Sequence, residues 1–363
     1  MRPLTLFPRF FGPAVTVAGL VFASGLLATP ISAQNGREVR VIQTNSAGDD
    51  AHIIDPVTHR VVGVIGGLGK PHGVMAHPDG TRYYFTSEGH RSVEVVDSRT
   101  LQQVKRIPLE GTPHNPALSA RAMKAYIALI DRPFIQVLDL RTEEIVGQIP
   151  TAGGVHNIFV TPDQRHVVAG MIGSRTMSVI DTETDQILWS IAFPALRGLG
   201  SLDDGGVRPM TIEANPDGTS KRIFVQVSGF HGFYVVDWET RALVQTIEIP
   251  PPPLSQRTSD GIQGAPVHGA AVTPDMTSLW AASRATGHVY GWSLPDLEFL
   301  GGVETGSPDW LTVTPDSRTL FVSVAGENET VAVDLRTRTV AAEIPVGQVP
   351  KRVQALEVAE GGR

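Results

Sequence analysis

Four short phrases in this chain carry a histidine in the same setting. They read Pro-His-Gly at 71–73, Pro-His-Asn at 113–115, Val-His-Asn at 155–157 and Val-His-Gly at 267–269. His72, His114 and His156 stand 42 residues apart. Seven residues after each histidine comes the slot of a Pro-Asp turn, filled by Asp79, Asp163 and Asp275, with Arg121 as the exception. A repeat that returns one side chain to one place in successive units builds a ring if the units close. Converging imidazoles are ligands for zinc, copper, iron or nickel. They also serve as hydrogen-bonding repeat features, and a polar ring can hold an anion instead.

The same offset extends the ring beyond the histidines. Counting back from Asp217 and Asp316 gives Met210 and Asp309, and the pairs Pro308-Asp309 and Pro350-Lys351 add Lys351. A histidine set with one thioether, Met210, and no thiolate leans toward copper, with zinc, iron or manganese as alternatives. Asp309 offers a hard ligand or a second acceptor for an imidazole N–H. Lys351 and Arg352 would repel a cation but neutralise an anionic substrate.

A second circle of residues belongs to the loops on the same face. His90 and His231 are the candidate proton carriers there, with His288 and His52 nearby. Eight of the eleven histidines map to this face, while His59, His77 and His166 map to the other. Arg132, Arg175 and Arg284 end second strands and are candidate clamps for a carboxylate or other anion. Trp310 is a candidate aromatic wall. Two insertions, Pro194–Val207 and Pro250–Pro266, fall on this face as candidate lids or walls.

These positions need a scaffold that repeats. Asp-x-x-Thr turns begin at Asp55, Asp97, Asp139, Asp181, Asp237 and Asp334, and Ser293 fills the missing slot, which gives seven units. The aspartates read as structural, accepting backbone N–H groups in their own turns. Between turns the pattern alternates in short runs, four strands to a unit. That is the signature of an all-β, seven-bladed propeller. Residues 39–65 supply three strands without a leading one, and the tail from Pro350 to Leu356 supplies a first strand with none after it. One blade is therefore expected to be shared between the two terminal segments.

Tyr83-Tyr84-Phe85-Thr86-Ser87, Ala125-Tyr126-Ile127-Ala128 and Leu320-Phe321-Val322-Ser323 resemble the Tyr-Val-Thr-Asn repeat, within Gly-x-x-Pro, Pro-Asp-Gly and Asp-x-x-Thr units. On these motifs residues 39–358 resemble the YVTN family of seven-bladed propellers. That implies the fold and leaves the function open between exported binding proteins and propeller enzymes. The histidine ring is distantly similar to histidine-crowned copper propellers such as the propeller domain of nitrous oxide reductase. This chain departs from that pattern in having no cysteine. A redox role would then need an external, periplasmic electron-transfer partner. Propeller lyases with histidine-held metals imply a lyase or hydrolase alternative, the metal acting as a Lewis acid.

Composition limits the remaining classes. With 41 % hydrophobic and 18 % charged residues, the chain is globular. A net charge of −7 without a basic cluster excludes a nucleic-acid surface and offers nothing to a membrane. Without cysteine there are no disulfides, no thioether-linked haem and no thiolate-bound cluster. Arg2 and Arg9, the apolar run from Phe10 to Leu27 and the small residues Ile31-Ser32-Ala33 read as a Sec-type signal peptide. Cleavage is expected after Ala33, leaving residues 34–363 as one propeller domain in the periplasm or outside the cell. The expected partner is a small or anionic ligand at the propeller mouth.

Overall fold

The computed structural model describes residues 32–33, 37–194, 206–249 and 265–361. The two insertions fall almost wholly outside these residues, as does the segment before Ser32. Ser32–Ala33 form a two-residue strand against Arg37 and Glu38. No helix among the described residues is long and apolar enough to cross a membrane.

Short strands of alternating burial form seven separate antiparallel sheets. Blade 1 runs Pro71–Ala76, Arg82–Ser87, Ser92–Asp97 and Gln103–Pro108. Blades 2 to 6 repeat this order, their innermost strands being Pro113–Ser119, Val155–Val160, Val207–Ala214, Val267–Val272 and Pro308–Val313. Blade 7 is composite. Its innermost strand, Pro350–Ala359, pairs antiparallel with Arg37–Asn45, which leads on to Asp50–Asp55 and Arg60–Gly66. Each innermost strand touches the innermost strands on both sides, and Pro350–Ala359 closes the circle against Pro71–Ala76.

Packing explains why the sheets stack. The second and third strands of each blade are buried on both faces, as in Tyr83, Tyr84, Phe85, Val95 and Val96, all at 0 % exposure. One sheet cannot cover both its faces, so each needs a neighbour. The fourth strands alternate exposed and half-buried residues and form the outer rim.

The repeated turns have a uniform physical basis. Asp97 Oδ1 accepts the N–H of Arg99 at 3.1 Å and of Thr100 at 2.9 Å, and the turns at Asp55, Asp139 and Asp181 are built alike. The fourth residue after each turn start then adopts a left-handed backbone. His59, Leu101, Glu143, Asp185, Arg241, Leu297 and Arg338 all have φ between 54 and 58°. One such residue per blade fixes the third-to-fourth-strand hairpin, as in a type I turn closed by a bulge.

Candidate functional site at the channel mouth

In every blade the second residue of the innermost strand faces the axis at one end of the channel. These residues are His72, His114, His156, Arg208, His268, Asp309 and Lys351. The register breaks at this point, between Pro71 and Val74, Val155 and Asn157, Val267 and Ala270, and Pro308 and Trp310. A bulge bends the strand and re-aims its side chain. Hydroxyl clasps then fix the ring backbone. Thr44 Oγ1 donates to the carbonyl of His72 at 2.7 Å, Thr86 Oγ1 to that of His114 at 2.6 Å, and Ser323 Oγ to that of Lys351 at 2.9 Å. Each clasp comes from the preceding blade.

The structure moves one expected ring member. Met210 is fully buried in the core of blades 3 and 4, in one cluster with Val168, Val179 and Val225. Arg208 takes the ring position instead. The cause is a longer hairpin. Val207–Ala214 and Ser220–Val227 have 8 residues each, against 6 in the corresponding strands of blade 1, so the constant offset to the Pro-Asp turn fails here.

The imidazoles are packed together. Ring centroids lie 3.6 Å apart for His72 and His114, 4.0 Å for His114 and His156, and 5.8 Å for His156 and His268. Ligand atoms of His72, His114 and Glu88 lie within 4.8 Å of one another, a grouping that could hold a metal ion. Glu88, from the loop after the second strand of blade 1, approaches His72 Nε2 at 3.8 Å and takes Lys70 Nζ at 2.7 Å.

Hydrogen bonds assign two tautomers. Arg208 Nη1 lies 2.9 Å from His156 Nε2, and a guanidinium only donates, so Nε2 is the accepting nitrogen. His268 Nδ1 lies 2.8 Å from the Asp309 carbonyl, which only accepts, so Nδ1 carries the proton and leaves Nε2 as the lone-pair nitrogen. The 3.1 Å approach of Arg284 Nη2 to that same Nδ1 sets donor against donor, so the Asp309 carboxylate is the real partner of Arg284.

Burial holds all four imidazoles well below the ordinary histidine value, and they are neutral at pH 7. After burial, His114 and Arg352 add to the effect at His72, Arg352 leads at His114, His114 and Arg208 at His156, and Arg284 at His268. Lys351 is pushed down to about 8, chiefly by burial and then by Arg284 and Arg352, with Glu88 opposing. Arg352 is lowered by burial and then by Arg284 and Arg208, with Glu88 opposing, yet a guanidinium starts so high that it remains charged. Its face lies 3.6 Å from the Trp310 ring centroid, and its Nη2 donates to Asn157 Oδ1 at 3.0 Å.

Several buried polar atoms here lack a partner among the described residues. They are Nδ1 of His72, His114 and His156, Oδ2 of Asp309, and Nε and Nη1 of Arg352. Buried polar groups are normally satisfied, by protein groups, ordered water or a bound species.

The remaining expected residues are placed elsewhere. His90 Nδ1 bonds Glu94 at 3.0 Å, and His231 Nε2 bonds Ser283 Oγ at 2.8 Å. His288 Nδ1 meets the Thr286 carbonyl at 2.7 Å, and His52 Nε2 faces Asp50 at 3.7 Å. Arg132 donates to the carbonyls of Glu110 and Asp131 on an exposed turn, and Arg175 is half-buried in a left-handed turn. Of the three expected clamps, Arg284 is the one brought to the ring. Trp310 lines the channel one step below it, stacked at 7° on Phe159. Sequence reasoning missed Glu88, which shares a loop with His90 but not the repeat phase, and Arg208.

No family model matches this chain, and no curated protein matches it. The likeness to YVTN repeats therefore rests on the motifs. Solved structures do match. Hydrazine synthase of Kuenenia stuttgartiensis superposes with a TM-score of 0.62 at 17 % identity, covering 81 % of this chain and 97 % of that one. Dihydro-heme d1 dehydrogenase NirN, in complex with DHE, gives 0.60 at 15 % identity, over 88 % of this chain and 66 % of the other. A putative 6-phosphogluconolactonase of Bacteroides fragilis gives 0.68 at 15 % identity, over 90 % and 99 %. At these identities the likeness establishes the fold, and the chain is a seven-bladed β-propeller carrying a buried histidine and glutamate cluster at its channel mouth.

Proposed function

We propose that this protein is an exported metalloenzyme whose metal is held by His72, His114 and Glu88, with His156 and His268 at hand. One observation carries the reading: the neutral, close-packed imidazoles have unpartnered buried nitrogens beside a carboxylate. Nearby His268 donates Nδ1–H to a backbone carbonyl, a common second partner of a metal-ligating histidine. With Met210 in the core and Glu88 at the ring, the donor set is nitrogen and oxygen. Copper stays a candidate, and zinc, iron and manganese fit as well. Arg208, Arg284, Lys351 and Arg352 surround the ring against the carboxylates of Glu88 and Asp309. This positive surplus favours an anionic substrate beside the metal. A metal with an open position next to such groups suits Lewis-acid or redox chemistry.

The segment of residues 1–33 supports export to the periplasm. Elemental mass spectrometry on untagged protein purified from the periplasm tests the reading, with a His72→Ala/His114→Ala variant beside it. About one equivalent of metal in the parent and none in the folded variant is the expected result. A metal-free parent after reconstitution overturns it. The excess of cations over carboxylates favours the second reading, an anion-binding propeller without metal, and that outcome would leave it standing.

A further inference from the structure

The channel has a second end. One to five residues beyond the ring, the innermost strands line a cavity of about 330 Å³ with no histidine in its walls. Its walls include Met75, Leu118, Phe159, Val160 and Leu356, and its polar groups are Asn115, Gln354 and Arg352. Volume and lining are those of a small-molecule pocket: mostly apolar, with a few polar groups.

Arg352 is the unusual member. It is 2 % exposed, and no carboxylate among the described residues pairs with it. Its polar contacts are Asn157 Oδ1 and the face of Trp310, and its Nε and Nη1 have no partner. Glu88 acts on it without forming an ion pair, and a buried cation left unpaired is costly, by several kcal/mol. Such an arrangement persists where something else supplies the negative charge. Nε and Nη1 lie on different edges of the guanidinium, because Nη2, which Asn157 holds, is the edge partner of Nε, so a carboxylate would take one charge-assisted hydrogen bond here rather than a fork. The apolar walls disfavour a strongly hydrated dianion and favour a hydrocarbon body.

We infer that this lower cavity binds a small apolar monocarboxylate, its carboxylate against Arg352 and its hydrocarbon against Phe159, Met75 and Leu356. The cavity lies below the ring and shares Arg352 with its surroundings, and binding there does not require a bound metal. Calorimetric titration of the full mature chain, treated with EDTA, tests this with 4-phenylbutyrate and its neutral amide.

One saturable equivalent of the acid should bind, with the amide weaker by about tenfold or more, the usual worth of a charge-assisted pair. Arg352→Gln should abolish the difference. Val160→Glu, which places a carboxylate on a half-buried wall residue, should weaken the acid by about tenfold and covers the case where Arg352→Gln does not fold. Lys351→Met, at the other end, should leave acid binding unchanged. Equal binding of acid and amide, or no saturable binding of the acid, would overturn the inference. So would weakening by Lys351→Met but not by Val160→Glu, which would move the anion to the mouth.

Discussion

Arg208 donates to Nε2 of His156 across 2.9 Å and to Ser228 Oγ across 2.7 Å. This contact occupies the lone pair that His156 would otherwise offer to a metal, and it brings a positive charge beside the ring. Replacing Arg208 with Met should free Nε2 and remove that charge. Affinity for zinc or copper is expected to rise by about tenfold, the worth of one hydrogen bond to a charged group. A competition titration against a chromophoric chelator reads the change. Unchanged affinity would mean that His156 takes no part in the centre.

The ring also makes stability depend on pH. All four imidazoles are held well below 6.5 in the folded state, chiefly by burial. The unfolded chain therefore binds more protons than the folded one once pH falls below about 6.5. Stability should be fully present above that value and fall on acidification, by about 1.4 kcal/mol per pH unit for each histidine that remains neutral. Urea unfolding of the metal-free protein at pH 7.5 and 5.5 measures the slope. His72→Asn/His114→Asn should make it shallower by about two protons.

Lys351 gives a second, alkaline signature. Its ammonium is pushed down from 10.5 to about 8 by burial and neighbouring guanidiniums. The folded protein thus releases this proton earlier than the unfolded chain, so this group favours folding as pH rises from about 8 toward 10.5. Reductive methylation with ¹³C and NMR titration should reveal one lysine resonance moving near pH 8. Lys351→Met should remove it. A resonance titrating only near 10.5 would contradict the burial of the ammonium.

The seven left-handed turn residues supply a stability test away from the channel. Arg241 has φ 57° and an exposed position after the turn at Asp237. Glycine adopts this backbone without the Cβ clash that other residues pay. Arg241→Gly is expected to raise unfolding free energy by about 0.5–1 kcal/mol, visible as a higher thermal midpoint. The opposite change, Arg241→Val, should lower it.

The fold was readable in the chain because its determinants are local and repeated. The Asp-x-x-Thr turns, the alternating strands and the split first strand each state the same architecture. His72, His114, His156 and His268 followed because their blades keep one spacing. Arg208 did not, because the longer hairpin of blade 4 shifts the phase by two residues, and only the Val-Arg-Pro phrase at 207–209 hints at it. Glu88 was hidden for another reason. Its approach to His72 is set by loop conformation, which periodicity does not encode. Arg352 and Trp310 could be placed near the axis, but their mutual stacking depends on contacts across the channel.

Closure of the circle has a temporal consequence. Lys351 and Arg352 belong to the innermost strand that comes last in chain order, yet that strand is covered by Arg37–Asn45, which comes first. If the other six blades collapse first, they do so without Lys351 and Arg352, although Glu88, Arg208, Arg284 and Asp309 already belong to them. Until the last strand docks, the imidazoles of His72 and His114 face an open seam without the ammonium and guanidinium that later crowd them. A metal would meet a less repulsive, more accessible ring at that stage than at any later one. Docking of the final strand then acts as both latch and lock, and metal exchange in the finished protein should be slower than metal capture during folding.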